Sequence, residues 1–498
     1  MIYLGIDSGT QSVKAIALDL ETGKILASGS APHKMISGLP EGHLEQHPES
    51  WTTAADNAVR ACLAGLGDAK SRVSGIGVSG QQHGLVVLDK DDNPVRPAKL
   101  WCDTSTVPQC EMITRELGGV EEIIALCGNA MLPGYTAPKI LWIKQNEPRN
   151  YPKIRSILLP HDYLNFWLTG EKSMEYGDAS GTALMDVRKR EWSKDVMAVI
   201  DPDLPEKLPQ PGSSKEPVGL LRESLRTAWG LSGTPLISAG GGDNMMGAIG
   251  TGNVASGIVT ASLGTSGTLY AFSETPVIDP KGEVAAFCDS TDHWLPLVCT
   301  MNVTVATEQA RNLFNWSHEQ MEQAIANAPA GAGGLLFLPY LQGERTPNLP
   351  KARGALHGLT TANMTQGGIA RSVMEGVTLG LAYGFERLKE LGIAPAEIRM
   401  TGGGANSRVW RQICADIFGV PVVGLISNEG AALGAAIQAA WTHRRTERQT
   451  ADLRELTGQL APVDPATRCE PGPDQKVYAD RLRAQTRVAA QLHAGGLL

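Results

Sequence analysis

The feature that most limits what this chain can become is a pattern that occurs twice. Near the start, Ile2-Tyr3-Leu4-Gly5-Ile6-Asp7 is an apolar extended run, Ser8-Gly9-Thr10-Gln11-Ser12 is a turn of small residues, and a second extended run follows. Ile258-Val259-Thr260-Ala261-Ser262-Leu263, the turn Gly264-Thr265-Ser266-Gly267 and Thr268-Leu269-Tyr270 repeat it loosely, and both copies precede longer helical segments. Two halves on one plan account for this, and 498 residues, about three ordinary domain lengths, leave room for two large domains. The first half reads as a three-strand meander over residues 2–30, a helix over 48–66 and strands over 73–78 and 85–88. Helical patterns fill much of 134–170, and 201–217, rich in Pro, Gly and Ser, is a long surface connection. The second half offers a strand at 335–338, a long helix at 367–391, a strand at 397–400 and a helix at 407–418. Beyond about residue 442 hydrophobic density falls while Arg, Gln and Glu rise, which predicts an exposed helical tail.

Acids at strand ends carry the chemistry. Gly240-Gly241-Gly242-Asp243-Asn244 places a carboxylate where a buried run becomes a small-residue helix, among glycines that let a ligand approach the main chain. Asp is also a favoured helix N-cap, so Asp243 has a structural reading as well. Gly5-Ile6-Asp7-Ser8-Gly9-Thr10 sets a second carboxylate before a turn whose backbone N–H groups can cradle phosphate, while the acid can hold Mg²⁺ directly or through water. Leu263-Gly264-Thr265-Ser266-Gly267 is a similar cradle without an acid. Two such turns facing one another would clamp a polyphosphate. Thr401-Gly402-Gly403-Gly404-Ala405-Asn406 follows a strand and opens a helix, which suits a base or ribose lying against bare backbone, or an ordinary glycine-rich helix entry. Gly430 to Ala436 is a small-residue helix suited to close packing. Gly75, Gly77 and Gly80 match a dinucleotide-binding spacing, but a strand follows where that fingerprint needs a helix, so the match is chance. No Walker-type phosphate loop occurs.

Bulk properties remove several classes of function. A net charge of -8 and a pI near 5.8 oppose a nucleic-acid-binding surface. The eight cysteines are dispersed without paired spacing and read as reduced, mostly buried thiols. Residues 1–7 carry no basic region or cleavage site, and no apolar run is long enough for a bilayer, so no membrane partner and a cytoplasmic location are expected.

With these motifs together, the chain resembles the FGGY family of carbohydrate kinases. The likeness runs from Gly5-Ile6-Asp7-Ser8-Gly9-Thr10 to about Ala440 and rests most on Gly80-Gln81-Gln82-His83-Gly84, Leu132-Pro133-Gly134-Tyr135-Thr136-Ala137-Pro138-Lys139, Leu158-Leu159-Pro160-His161-Asp162-Tyr163, Gly241-Gly242-Asp243-Asn244 and Pro339-Tyr340-Leu341-Gln342-Gly343-Glu344-Arg345-Thr346-Pro347. The resemblance implies an α/β fold of two actin-like (ribonuclease H-like) domains with an interdomain cleft. Their expected extents are 1–245 for sugar and 246–445 for nucleotide, followed by the tail 446–498. It implies transfer of the ATP γ-phosphoryl to a sugar, D-xylulose first, with ribulose, rhamnulose, fuculose and glycerol as alternatives. Asp243 would be the general base, Asp7 the Mg²⁺ residue, and Gln82, His83, Asp243 and Asn244 the sugar contacts, with Trp101 and Asp103 as pocket walls. Ser8, Gly9, Thr10, Gln11, Gly264, Thr265 and Ser266 would line the phosphate path. Lys14 would stand near the γ-phosphate, or be a solvated surface lysine. Gly402, Gly403, Gly404 and Asn406 would meet the adenosine end. A homodimer is expected from the resemblance alone. A rival from another class is an actin-like ATPase or chaperone, for which His83 and Asp243 have no use. A silent sugar sensor lacks an appended DNA-binding helix pair.

Overall fold

The computed structural model describes every residue except Asn428 and Thr450. The expected meander forms from β1 (Ile2–Ser8), β2 (Ser12–Asp19) and β3 (Ile25–Pro32), covered by α1 (Pro48–Leu66), whose buried stripe runs from Trp51 through Ala55, Ala58 and Cys62 to Leu66. β4 (Val73–Gly80) joins β1 in parallel. β5 (Gly219–Leu220), β6 (Leu236–Ile237) and β7 (Gly241–Gly242) complete a seven-stranded sheet in the order β5-β6-β4-β1-β2-β3, with β7 also on β4. α2 (Asp243–Gly250) then leads out of this lobe.

The second lobe repeats the plan. β8 (Ile258–Leu263), β9 (Gly267–Ala271), β10 (Ala285–Cys288) and β11 (Trp294–Thr300) are antiparallel neighbours, and after α3 (Gln366–Glu390) the strand β12 (Glu397–Thr401) pairs with β8 in parallel. α4 (Arg408–Phe418), β13 (Val422–Leu425), α5 (Gly430–Thr446), β14 (Val463–Cys469) and α6 (Gln475–Ala494) follow. The sheet order is β10-β11-β9-β8-β12-β13-β14. Thus β8-β9-β11 mirrors β1-β2-β3, and the parallel strands β12 and β13 stand where β4 and β6 stand in the first lobe.

Small residues lock the lobes together. α5 leaves the second lobe's sheet yet lies on the first, over Gly5 and Gly77, which are register partners on β1 and β4. A Cβ on either glycine would come within 1.9 and 2.0 Å of the Ala432 and Ala435 carbonyl oxygens. α5 also meets α2 so closely that a Cβ at Gly434 would stand 1.8 Å from the Met246 carbonyl oxygen. Gly77, the middle glycine of the chance match on β4, therefore has a cause, which is the approach of a helix rather than of a dinucleotide.

The tail is not a bare helical extension, because β14 adds a seventh strand to the second lobe's sheet and α6 buries Tyr478 and Gln485. The domain boundary placed between 245 and 246 falls inside α2, since that helix is the crossing point between lobes. The strand near 335–338 forms as Leu336–Leu338 but pairs only with Ala355–His357, outside the main sheets. All eight cysteines are free. Among the described residues no helix is long and apolar enough to cross a membrane.

Candidate active site

Asp243 sits at the first position of α2, directly after β7 has paired with Ser79 and Gly80 at the end of β4. That pairing brings it beside the loop that continues β4, so Asp243, Asn244, Gln82, His83 and Trp101 all line one cavity of about 360 Å³, within the size range of small-molecule sites. Gly264 and Ser266 of the β8–β9 turn line it from the other lobe. Asn244 organises the floor. Its Nδ2 donates to Gln82 Oε1 at 2.8 Å and to Asp243 Oδ1 at 3.0 Å, while Thr268 Oγ1 donates to its Oδ1 at 3.3 Å. The Asn244 backbone N–H adds a second bond to Asp243 Oδ1 at 2.8 Å. Asp243 Oδ2 accepts nothing among the described residues, and buried Gln82 Nε2 has no partner.

Burial, and next the charge of Asp7, push the Asp243 carboxyl up to about 7. An acid so placed has the proton affinity of a general base working at neutral pH. Asp7, at the end of β1, accepts from Ser79 Oγ at 2.8 Å and is itself raised by burial. No protein cation pairs with either acid among the described residues. The Lys14 ammonium, the register partner of Asp7 on β2, lies 2.5 Å from Glu429 Oε2 at the start of α5, an ion pair across the lobes.

His83 has a left-handed backbone, φ 63°, and is almost fully buried. Its ring meets Tyr135 edge-on at 4.9 Å and Phe287 at 5.6 Å between centroids. Its Nδ1–Cε1 edge abuts Gly181, where a Cβ would stand 2.5 Å from both atoms, and Nδ1 has no partner among the described residues. Burial, then the cations Lys139 and Arg345, hold the imidazole well below its ordinary pKa, so it is neutral at pH 7.

The two small-residue turns meet the requirements of a phosphate cradle. Backbone N–H groups of Thr10, Gln11, Thr265 and Ser266 donate to no backbone acceptor among the described residues, and buried Ser8 Oγ is unpartnered. Gly9 closes the first turn through a bond to Ser12 O, and Thr10 Oγ1 accepts from Trp101 Nε1 at 3.2 Å, which ties this turn to the cavity wall. The glycine turn Gly402–Gly404 lies beside the base of the second cradle, where a Cβ on Gly402 would strike Leu263 O at 2.6 Å. Gly403 and Asn406 are exposed, and nothing lies within 4 Å of a Cβ at Gly403. These residues are outside the cavity lining.

One expected wall residue is elsewhere. Asp103 is fully buried, bonded to Lys99 Nζ at 3.0 Å, Ser105 Oγ at 2.5 Å and the Leu44 N–H at 3.0 Å, so all its acceptor capacity serves the loop it sits in. With His43 and Glu45 it forms a group of metal-ligand types, but the Lys99 ammonium, 3.2 Å from Glu45, already supplies the positive charge there.

Two matches decide the family: residues 2–250 match the N-terminal domain, and residues 259–443 the C-terminal domain, of the FGGY family of carbohydrate kinases. The chain belongs to that family. Among its FGGY relatives, the xylulose kinase of Haemophilus influenzae is 44% identical over 90% of this chain and 92% of its own length. The xylulose kinase of Escherichia coli is 37% identical over 92% and 93%. A solved structure described as a xyloylose kinase from Brucella ovis superposes with a TM-score of 0.91 at 30% identity, covering 99% of this chain and all of that one. As in those FGGY structures, the fold is a two-domain α/β architecture.

Several lining residues escaped the sequence reading. Tyr135 and Arg345 stand within stretches that carried the resemblance, yet nothing local marks them as facing a cavity. Phe287, Leu297 and Cys299 come from β10 and β11 of the other lobe. Arg345 makes no ion pair among the described residues, and its guanidinium reaches to 3.7 Å from where a Gly134 Cβ would be. It brings a second-lobe cation to a first-lobe pocket.

Proposed function

We propose that the chain transfers the γ-phosphoryl group of ATP to the terminal hydroxyl of D-xylulose, giving the pentose phosphate D-xylulose 5-phosphate. The observation that carries this reading is Asp243, a carboxyl raised to about 7 in a cavity between polar side chains of one lobe and a small-residue turn of the other. Relatives named xylulose kinase, matching along almost their whole length, support the choice of sugar.

In this reading Asn244 and Gln82 orient the sugar, and the neutral His83 ring offers Nε2 to a hydroxyl. Asp243 Oδ2 takes the proton from the attacking oxygen as it meets phosphorus. Phosphoryl transfer asks a protein mainly for alignment and charge neutralisation, so one positioned acid is sufficient. The turn residues Ser8, Gly9, Thr10 and Gln11 hold the phosphates from one side and Gly264, Thr265 and Ser266 from the other. Gly402, Gly403, Gly404 and Asn406 receive the adenosine. Two neighbouring acids, Asp7 and Asp243, neither with an ion-pair partner among the described residues, fit a divalent ion, and Asp7 would hold Mg²⁺. When bound there, Mg²⁺ would supply charge neutralisation at the transferring phosphoryl group. A cytoplasmic homodimer completes the reading, and light scattering tests the dimer.

Coupled ADP-release measurements over D-xylulose, ribulose, rhamnulose, fuculose and glycerol test the substrate. The highest kcat/KM is expected for D-xylulose. A higher value for another polyol would reassign the sugar, and an ATPase rate indifferent to all of them would favour the actin-like ATPase reading.

A further inference from the structure

Lys139 is a fully buried lysine that none of the roles above uses. It lies one turn into the helix Thr136–Asn146, and its ammonium donates to the carbonyl oxygens of His83 and Gly134, each at 2.7 Å. Thr136 Oγ1 donates to the same His83 carbonyl at 3.1 Å. No carboxylate pairs with Lys139 among the described residues, because nearby Asp103 is engaged by Lys99. Burial lowers the ammonium to about 7.

Every part of this arrangement is costly without a purpose. Burying an ammonium against neutral carbonyls carries a penalty of several kcal/mol. It also stands near the positive end of a helix, where cations are disfavoured. One of its two bonds goes to His83, whose backbone is itself strained: a non-glycine residue held left-handed costs about 1–3 kcal/mol and persists only where its surroundings hold it. His83 lies in the turn after β4 has ended, and its carbonyl is met by the Thr136 hydroxyl and the Lys139 ammonium. Unpaired there, it would cost about 1–3 kcal/mol more. The segment that supplies Lys139 and Thr136 also supplies Tyr135, whose ring packs edge-on against the imidazole.

We propose that Lys139 is a positioning residue for the sugar: by holding the His83 and Gly134 carbonyls at one ammonium, it locks the left-handed backbone at His83 and so aims the imidazole into the cavity. This rests on the reading of His83 as a sugar ligand. Its charge has a second effect of the same sign, since a cation beside the ring keeps the imidazole neutral and able to accept from a hydroxyl.

A double-mutant cycle on the full chain separates this role from plain core stability. Calorimetric titration of D-xylulose into wild type, Lys139→Met, His83→Ala and the double variant gives four affinities, and titration of ADP without sugar gives the control. Lys139→Met should weaken sugar binding about tenfold with ADP affinity unchanged, and should add less than about twofold once the His83 ring is gone. Equal losses in both backgrounds, or unchanged sugar affinity in Lys139→Met, would overturn the proposal. Should Lys139→Met fail to fold, Lys139→Gln, which keeps one donor, enters the same cycle with the same criteria. If His83→Ala alone leaves sugar affinity intact, the underlying reading of His83 fails instead, and that outcome is distinct from additivity.

Discussion

Replacing the proposed base should stabilise the protein while abolishing its activity, and the size of the gain should follow pH. Asp243 Oδ1 accepts from the Asn244 N–H and Nδ2, and an amide oxygen at that position accepts both as well, so Asp243→Asn preserves the local bonds. What it removes is a charge that burial and Asp7 oppose. The folded-state pKa, about 7, lies above the ordinary 3.8, so the folded protein binds more protons than the unfolded chain and loses stability as pH rises between those values. At 1.36 kcal/mol per pH unit the penalty reaches about 1.6 kcal/mol at about pH 5 and a ceiling of about 4 kcal/mol above about pH 7. An unfolding entropy of about 2.1 cal/mol/K per residue, over a chain this long, converts the ceiling into a Tm gain of about 4 °C for cooperative unfolding. Calorimetric scans of wild type and variant at about pH 5 and about pH 8.5 test it, with other buried acids cancelling in the difference. A difference that is flat with pH, or a variant less stable at the higher pH, would refute the claim that Asp243 is held in an unfavourable charged state. In parallel, kcat should fall by about 10² to 10⁴ if the carboxylate is the base.

Asp7→Asn should raise the Mg²⁺ concentration needed for half-maximal rate and, by removing the nearest like charge, move the acid limb of kcat/KM below its wild-type position near pH 7; an unmoved limb with a wild-type metal titration would dissociate the two acids. Gly434→Ala should lower Tm by about 3 °C or more, because its Cβ would collide with the Met246 carbonyl oxygen at 1.8 Å and force α2 and α5 apart, whereas Gly458→Ala, with nothing within 4 Å, should leave Tm unchanged or slightly raised.

What was legible in the sequence is what is local. Asp7 and Asp243 could be found because each acid closes an apolar run beside small residues, and the paired hairpins because both halves write the same strand, turn and strand. Asp103 misled because its partner is Lys99, four residues earlier on an irregular segment, where the pair stabilises a loop rather than facing a ligand. β14 was missed because Val463-Asp464-Pro465-Ala466-Thr467-Arg468-Cys469 is a polar edge strand carrying a proline, and edge strands tolerate both. Phe287 and Arg345 reach the cavity from the opposite lobe, so no window of sequence contains them together with His83.

Glycine is where the two kinds of legibility divide. A glycine at the end of a strand was taken as room for a ligand, and at Gly403 a Cβ would meet only open space. Gly5 and Gly77 carry the same residue for another reason, since α5 must lie flat on β1 and β4. The distinction is one of surroundings: Gly5 and Gly77, mid-strand, face the helix of the neighbouring layer, whereas Gly403, past the end of β12, faces open space even though a Cβ at adjacent Gly402 would strike Leu263 O. Lys139 extends the rule to polar residues, because a lysine in a buried helix turn is unintelligible until the left-handed residue it serves is seen. The fold brings that residue next to it from the turn after β4, in another part of the chain, and the cavity lined by His83 and Tyr135 is assembled at that join.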